Sequence, residues 1–381
     1  MSKVYFTNYR VSVGDSRLNK MMRLIKAAGI DKIDFKDKFV AIKVHFGEWG
    51  NLGHIRQQYS KVLGDYIKSK GGKPFLTDCS TLYVGYRNNA LDHLDCAYMN
   101  GYNPLATGMH TIIADGIRGT DERKIPLKKF KHCKAPKIGA SVAEADIIIA
   151  ITHCKGHQVA GYGGILKNIG MGCGSKSGKM EMHSNGTPLI IEEKCIGCGS
   201  CVRHCLNDGV RIENKKAVIQ EDKCLGCGNC FSYCVRGAIN CKWDEGKKIV
   251  NEKIAEYCKA VVHDKKAFYI NFAETITKDC DCKDGNDVGM VPDIGMFAGF
   301  DPISIDKACM DAIMSSPIYV DSPAGDVCKH NGETPHDGIY PPGSGHNVFK
   351  MVHPDTGWEW GLKHGEFLGL GEQDYEIVNV K

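Results

Sequence analysis

Eight of the nineteen cysteines constrain this chain more than any other feature. They run Cys195-x-x-Cys198-x-x-Cys201-x-x-x-Cys205 and repeat the same spacing as Cys224-x-x-Cys227-x-x-Cys230-x-x-x-Cys234. A cubic 4Fe-4S cluster takes four soft thiolates; tight turns bring three of them from one run, and the fourth cysteine of each run crosses to the other cluster. The spacing therefore predicts one cluster on Cys195, Cys198, Cys201 and Cys234, and a second on Cys224, Cys227, Cys230 and Cys205. Gly197, Gly199, Gly226 and Gly228 suit a backbone that must wrap a cluster and aim amides at its sulfurs. The pieces 193–199 and 222–228 align without a gap, which marks an internal duplication.

On these two runs, residues 188–245 resemble the bacterial-type two-cluster ferredoxins. They depart from that family at Leu206 and Val235, where Pro usually follows the fourth cysteine, a change that bears on the local turn and the reduction potentials. Zinc and a disulfide scaffold are the alternatives, but zinc sites pair short Cys-x-x-Cys hooks and rarely take four cysteines from one hook. The start, 1–10, has no apolar core of an export signal, so the cysteines are expected in a reducing compartment, the cytoplasm.

With 381 residues, 43% of them hydrophobic and 25% charged, the chain has room for two or more domains and the balance of a soluble globular protein. The apolar run Ile147-Ile148-Ile149-Ala150-Ile151 is far shorter than the ~20 residues that cross a bilayer and reads as a buried strand, so no membrane partner is expected. A net charge of +4 does not argue for nucleic acid. The locally basic stretch 123–137 reads as a solvated face, with docking of an acidic electron carrier or an anionic substrate as the alternative.

Outside the cysteine runs, helical and strand patterns alternate. Residues 18–28, 55–70 and 303–314 read as helices, the last with Asp301 as N-cap and Pro302 at its first position. Strands are expected at 39–46, 73–78 and 146–152 and within 261–273. The fold class is α/β, a mostly parallel sheet flanked by helices. A ferredoxin-like α+β unit, 188–245, is expected as an insertion between 1–187 and 246–381. The tail after Ser315 is expected to pack as loops and one helix.

A second constellation lies at predicted strand ends, where open α/β sheets bind ligands. The string Thr152-His153-Cys154-Lys155-Gly156-His157 leads into the glycine-rich stretch 161–173, whose Lys167 adds charge. Lys155, His157, Lys167 and His45 are the candidate catalytic residues, with Glu48 beside His45 as a further acid or base. Asp78, Tyr83 and Arg87 are candidate substrate contacts. Cys280 and Cys282, at i and i+2 in extended chain, would share one face. With Cys173, and with Cys154 or one of His153, His157 and His183, they would hold a third Fe-S cluster or a mononuclear metal. The remaining cysteines read as small buried apolar groups.

These strings resemble the family known as domain of unknown function 362. The resemblance rests on Lys43-Val44-His45-Phe46-Gly47-Glu48, on 155–157 through Lys167-Asn168 and Gly170-Met171-Gly172-Cys173, and on Asp301-Pro302. It implies an α/β fold with a ferredoxin insertion and no particular substrate. The expected function is a reductase in which two 4Fe-4S clusters relay electrons from a soluble donor, a ferredoxin or flavodoxin, to the second site, since no dinucleotide fingerprint is present. The competing reading is a non-enzymatic electron carrier or metal-handling protein. Sequence names neither the substrate nor the oligomeric state.

Overall fold

The computed structural model describes residues 1–83, 85–184, 187–342 and 347–381. Its centre is the apolar run foreseen above. Strand β5 (Ile147–His153) is buried at all seven positions, as a strand covered on both faces must be. Around it lie β1 (Ser2–Asn8), β2 (Phe39–Val44), β3 (Lys73–Asp78), β4 (Thr111–Ile113), β6 (Lys266–Ala273), β7 (Gly295–Gly299) and β8 (Tyr375–Asn379). They form one eight-stranded sheet in the order β8-β1-β7-β6-β5-β2-β3-β4. Five of the seven pairings are parallel; only β7 runs against its neighbours, β1 and β6. Register sets Ile149 opposite both Ile42 and Phe268.

Side chains alternate across the sheet, so each face has its own core. Ile42, Ile149 and Ile270 meet Leu24 of α1 (Arg17–Ala27) and Leu63 of α2 (Gln57–Ser69) on one side. Ala41, Ile148 and Tyr269 turn to the other. There they meet Ile169 of α3 (Ile165–Cys173), Ile254 of α5 (Lys247–Val261) and Ile305 of α6 (Pro302–Met314). The Asp301 carboxylate accepts from the Ile303 and Ser304 amides, and Pro302 opens α6, so that helix start is built as its sequence suggests. Helix α4 (Lys176–His183) starts on the Ser175 hydroxyl, which accepts from the Gly178 amide.

Residues 188–241 leave this body and return to it through one antiparallel pair, Pro188–Ile190 on Ile239–Cys241, with Pro188 opposite Cys241. Between lie a hairpin of Val210–Glu213 and Lys216–Ile219 and two four-residue helices, Ser200–Arg203 and Asn229–Ser232. The segment docks on the loop at Arg118, whose carbonyl accepts from the Ser232 hydroxyl at 2.8 Å and whose guanidinium lies 4.4 Å from the Tyr233 ring centre. Leu82 and Met180 of the body complete its small core.

The tail departs from expectation. Among the described residues it forms three helices, Pro323–His330, Val348–Val352 and Glu359–Phe367, and β8, which extends the main sheet by pairing parallel to β1. The basic stretch 123–137 is partly neutralised: Arg123 pairs with Asp121 and Glu144, and Lys131 with Glu252. No helix among the described residues is long and apolar enough to cross a membrane.

Candidate functional site

Strands β2, β3, β5 and β6 are parallel neighbours or linked through one, so the loops leaving their carboxyl ends gather at one edge of the sheet. A cavity of about 150 Å³ opens there, lined by Lys43, His45, Asp78, Arg87, Lys155, His157, Lys167, Lys179 and Cys282. Leu82, Val159, Met171 and Trp243 give it an apolar side. At its edge the Trp243 ring meets that of His183 at 4.6 Å.

The floor is a set of buried ion pairs. Lys43 Nζ lies 3.1 Å from Asp78 Oδ1 and donates at 2.8 Å to Asn168 Oδ1. Asn168 in turn donates to the Ile151 carbonyl and the Thr152 hydroxyl, tying α3 to the end of β5. Arg87, 2% exposed, bonds Glu48 Oε2 at 3.1 Å, His45 Nε2 at 3.1 Å and the Tyr83 hydroxyl at 2.5 Å. Burial, reinforced by Arg87, holds His45 well below its usual range and therefore neutral. His153 contacts Asp281 through Nδ1 at 2.9 Å and the Glu274 carbonyl through Nε2 at 2.7 Å. Lys155 Nζ lies 3.2 Å from the same Asp281 carboxylate. Burial opposes ionisation of Asp281, but His153 and Lys155 outweigh it and hold the carboxyl well below the ordinary range.

Cys280 and Cys282 flank that aspartate. The chain turns there, with the Lys283 amide donating to the Cys280 carbonyl at 3.0 Å, instead of running extended. The two sulfurs and a His157 ring nitrogen lie within 4.8 Å of one another. Lys167 Nζ, on the first turn of α3, is 3.2 Å from Cys280 Sγ. The Cys282 thiol, with Lys167 and Lys155 behind it, holds Cys280 well below the usual thiol range, while the same contact pushes Cys282 up.

All four candidate catalytic residues, Lys155, His157, Lys167 and His45, thus line one cavity, together with Asp78, Tyr83 and Arg87. Of the four metal candidates Cys282 lines the cavity, Cys280 is buried beside it, and the other two lie elsewhere. Cys154 points to the opposite side of its strand from His153 and Lys155, and its sulfur lies 3.0 Å from that of Cys309 on α6. Cys173 ends α3 off the face that carries Lys167, Asn168, Met171 and Gly172 to the cavity; its carbonyl takes the Cys79 thiol at 3.4 Å. His157, not either cysteine, is the third group beside Cys280 and Cys282.

Sequence reasoning passed over Lys179, Trp243 and Asp306. Asp306 accepts from the Ile165 and Leu166 amides at 2.8 and 3.0 Å, so it fixes the first turn of α3, which carries Lys167. The available signal was a carboxylate on the apolar stripe of α6.

The cysteine runs build two further cavities. One is lined by Cys195, Cys198, Cys201 and Cys234, the other by Cys205, Cys224, Cys227 and Cys230. Backbone amides already address the sulfurs: Ala217 N to Cys195, Gly209 N to Cys205 and Ala238 N to Cys234, at 3.3, 3.1 and 3.2 Å. Four converging thiols with amide donors are the donor set of an iron–sulfur cluster.

The profile of a domain of unknown function (DUF362) matches residues 40–311. The lactate racemase apoprotein of Thermoanaerobacterium thermosaccharolyticum is similar over 100% of this chain and 83% of its own, at 12% identity and a TM-score of 0.38. A Thermotoga maritima protein is similar over 75% of this chain, at 12% identity and a TM-score of 0.34; the match spans 57% of that protein's length. No curated protein matches the chain.

Proposed function

The chain belongs to the DUF362 family, and from the site it builds we propose that it is an iron–sulfur reductase. Cys195, Cys198, Cys201 and Cys234 would hold one 4Fe-4S cluster, and Cys205, Cys224, Cys227 and Cys230 the other, within a ferredoxin-like insertion over 188–245. Bound there, such clusters supply one-electron transfer at low potential. The observation that carries this reading is adjacency. The second cysteine loop packs on α4, where a methyl at Gly228 would sit 3.6 Å from Ser177, while Lys179 and His183 of the same helix line the cavity. Leu82 belongs both to the cavity wall and to the core under the cysteines.

At the sheet edge the chain's own residues bind and position. Lys43, Lys155, Lys167, Lys179 and Arg87 line the cavity; Asp78, Asp281 and Glu48 pair with Lys43, Lys155 and Arg87, and the positive charge of Lys167 and Lys179 that remains suits an anionic substrate. His157 and Lys167 stand where protons would be delivered. A soluble one-electron donor, a ferredoxin or flavodoxin, would supply the electrons. Iron and sulfide analysis of anaerobically purified protein should give about eight irons per chain, with paramagnetic resonance of interacting clusters after reduction. Less than one iron per chain after anaerobic reconstitution would sink the proposal. A second reading, metal handling without catalysis, is favoured by the grouping of His157, Cys280 and Cys282.

A further inference from the structure

We propose that Cys280 and Cys282 form a redox dithiol that reduces a small anionic disulfide. The inference rests on the reductase reading for its supply of electrons, and on the cavity alone for its chemistry.

A metal is a poor occupant of this corner on three counts. Lys167 Nζ already sits 3.2 Å from Cys280 Sγ and lines the same cavity, so a divalent cation would enter against a fixed like charge. The Val159 and Ala160 amides both donate to His157 Nδ1, at 3.2 and 3.0 Å. The neutral ring then keeps its proton on Nε2 and offers that nitrogen as a donor, not as a ligand. Finally, Cys154 and Cys173, the cysteines that could have closed the coordination sphere, lie elsewhere.

The same arrangement suits thiol–disulfide exchange. The turn at Cys280 makes the two sulfurs neighbours, a lysine faces the first of them, and a ring N–H stands beside both. The basic wall would take carboxylates, and Leu82, Val159 and Met171 the apolar stem of the substrate. The Cys280 thiolate attacks one sulfur of R–S–S–R. The substrate S–S bond breaks, a mixed disulfide forms, and the first RS⁻ leaves with a proton from the Lys167 ammonium, while the His157 N–H hydrogen-bonds the departing sulfur. Cys282 gives its proton to the base so formed and attacks the Cys280 sulfur. The second RS⁻ leaves, picking up a proton in turn, and the Cys280–Cys282 disulfide remains. Two electrons from the one-electron donor and two protons restore the dithiol, so one disulfide, two electrons and two protons become two thiols.

The test uses the full-length protein, purified anaerobically, with glutathione disulfide as the anionic probe and cystamine as the cationic one. Differential alkylation and peptide mass mapping should find a Cys280–Cys282 bridge after glutathione disulfide, formed at least about tenfold faster than with cystamine. Cys282→Ser should trap glutathione on Cys280, and Lys167→Gln should slow that trapping about tenfold. The inference is overturned if neither bridge nor trapped adduct appears, if cystamine reacts as fast, or if the wild type holds one zinc per chain that Cys280→Ser loses. Iron measured on the same samples separates the two readings. A bridge formed in iron-free protein supports the dithiol while the relay fails, and full iron without a bridge overturns the dithiol while the relay stands.

Discussion

The two cysteine runs share their spacing residue for residue and differ in what surrounds them. In the first, Cys198 is exposed and Gly197 and Gly199 are half-buried; in the second, Gly226 and Gly228 are buried and Cys227 is partly covered. Ile196 and Leu225, the equivalent rim residues, are both 60% exposed, so the difference lies at the crests of the loops and not at their rims. Duplication copied the ligand pattern, and docking on α4 and Arg118 broke its symmetry. One crest faces solvent, the other the wall of the cavity. In the proposed relay, electrons would enter at the first run and leave by the second.

The largest test of that comparison is the crossing itself. Cys205→Ala removes a ligand that belongs, by sequence, to the first run and lines the cavity of the second. The resonance of the second cluster should disappear while that of the first persists; loss of the first alone would show that each run binds its own cluster. Exposure should next appear as unequal lability. Under an iron chelator without oxygen, the first site should release iron several times faster than the second, followed as two kinetic phases whose order Cys205→Ala identifies. A single phase would mean that the burial of the second crest protects nothing.

Two glycines sharpen the contrast. Gly197 and Gly228 sit at φ of +67° and +71°, where a side chain costs about 1–2 kcal/mol. A methyl at Gly197 would also meet the Lys215 carbonyl at 2.4 Å, whereas at Gly228 the first neighbour is 3.6 Å away. Gly197→Ala should therefore lower the melting temperature more than Gly228→Ala, and equal losses would deny the difference in packing. The smallest effect is electrostatic and falls on α4, behind the second run. Burial, with Lys179 and Arg118 nearby, pulls Lys176 down to about 8. Between about pH 8 and pH 10 the folded chain sheds this proton while the unfolded chain keeps it, so stability should climb across that window. Lys176→Met should flatten the climb in thermal melts at a series of pH values.

Legibility tracked burial and locality. β5 and the cysteine runs could be read because an unbroken apolar strand and a repeated metal-ligand spacing are each written within a few residues. β1 and β8 were invisible: they alternate irregularly between partly buried and exposed positions, since they lie at one margin of the sheet and carry no clean period. Cavity residues on β2, β5 and α3 could be named one by one, but which of them face one another depends on side-chain direction. Cys154 failed as a ligand candidate because strand alternation turns it away from its neighbours at 153 and 155. Cys173 failed because, six residues beyond Lys167 on a helix, it looks the other way. Asp306 escaped notice because its partners, the first amides of α3, lie some 140 residues earlier.

The pairing of Ser2 with Tyr375 has a consequence for how the protein is made. The two partners lie 373 residues apart in sequence, so β1 is made long before β8. Until β8 has followed, β1 must wait with one row of unpaired backbone groups, the kind of edge that invites pairing with another nascent chain. Chaperone demand during synthesis should therefore fall on this margin of the sheet and outlast the folding of everything between.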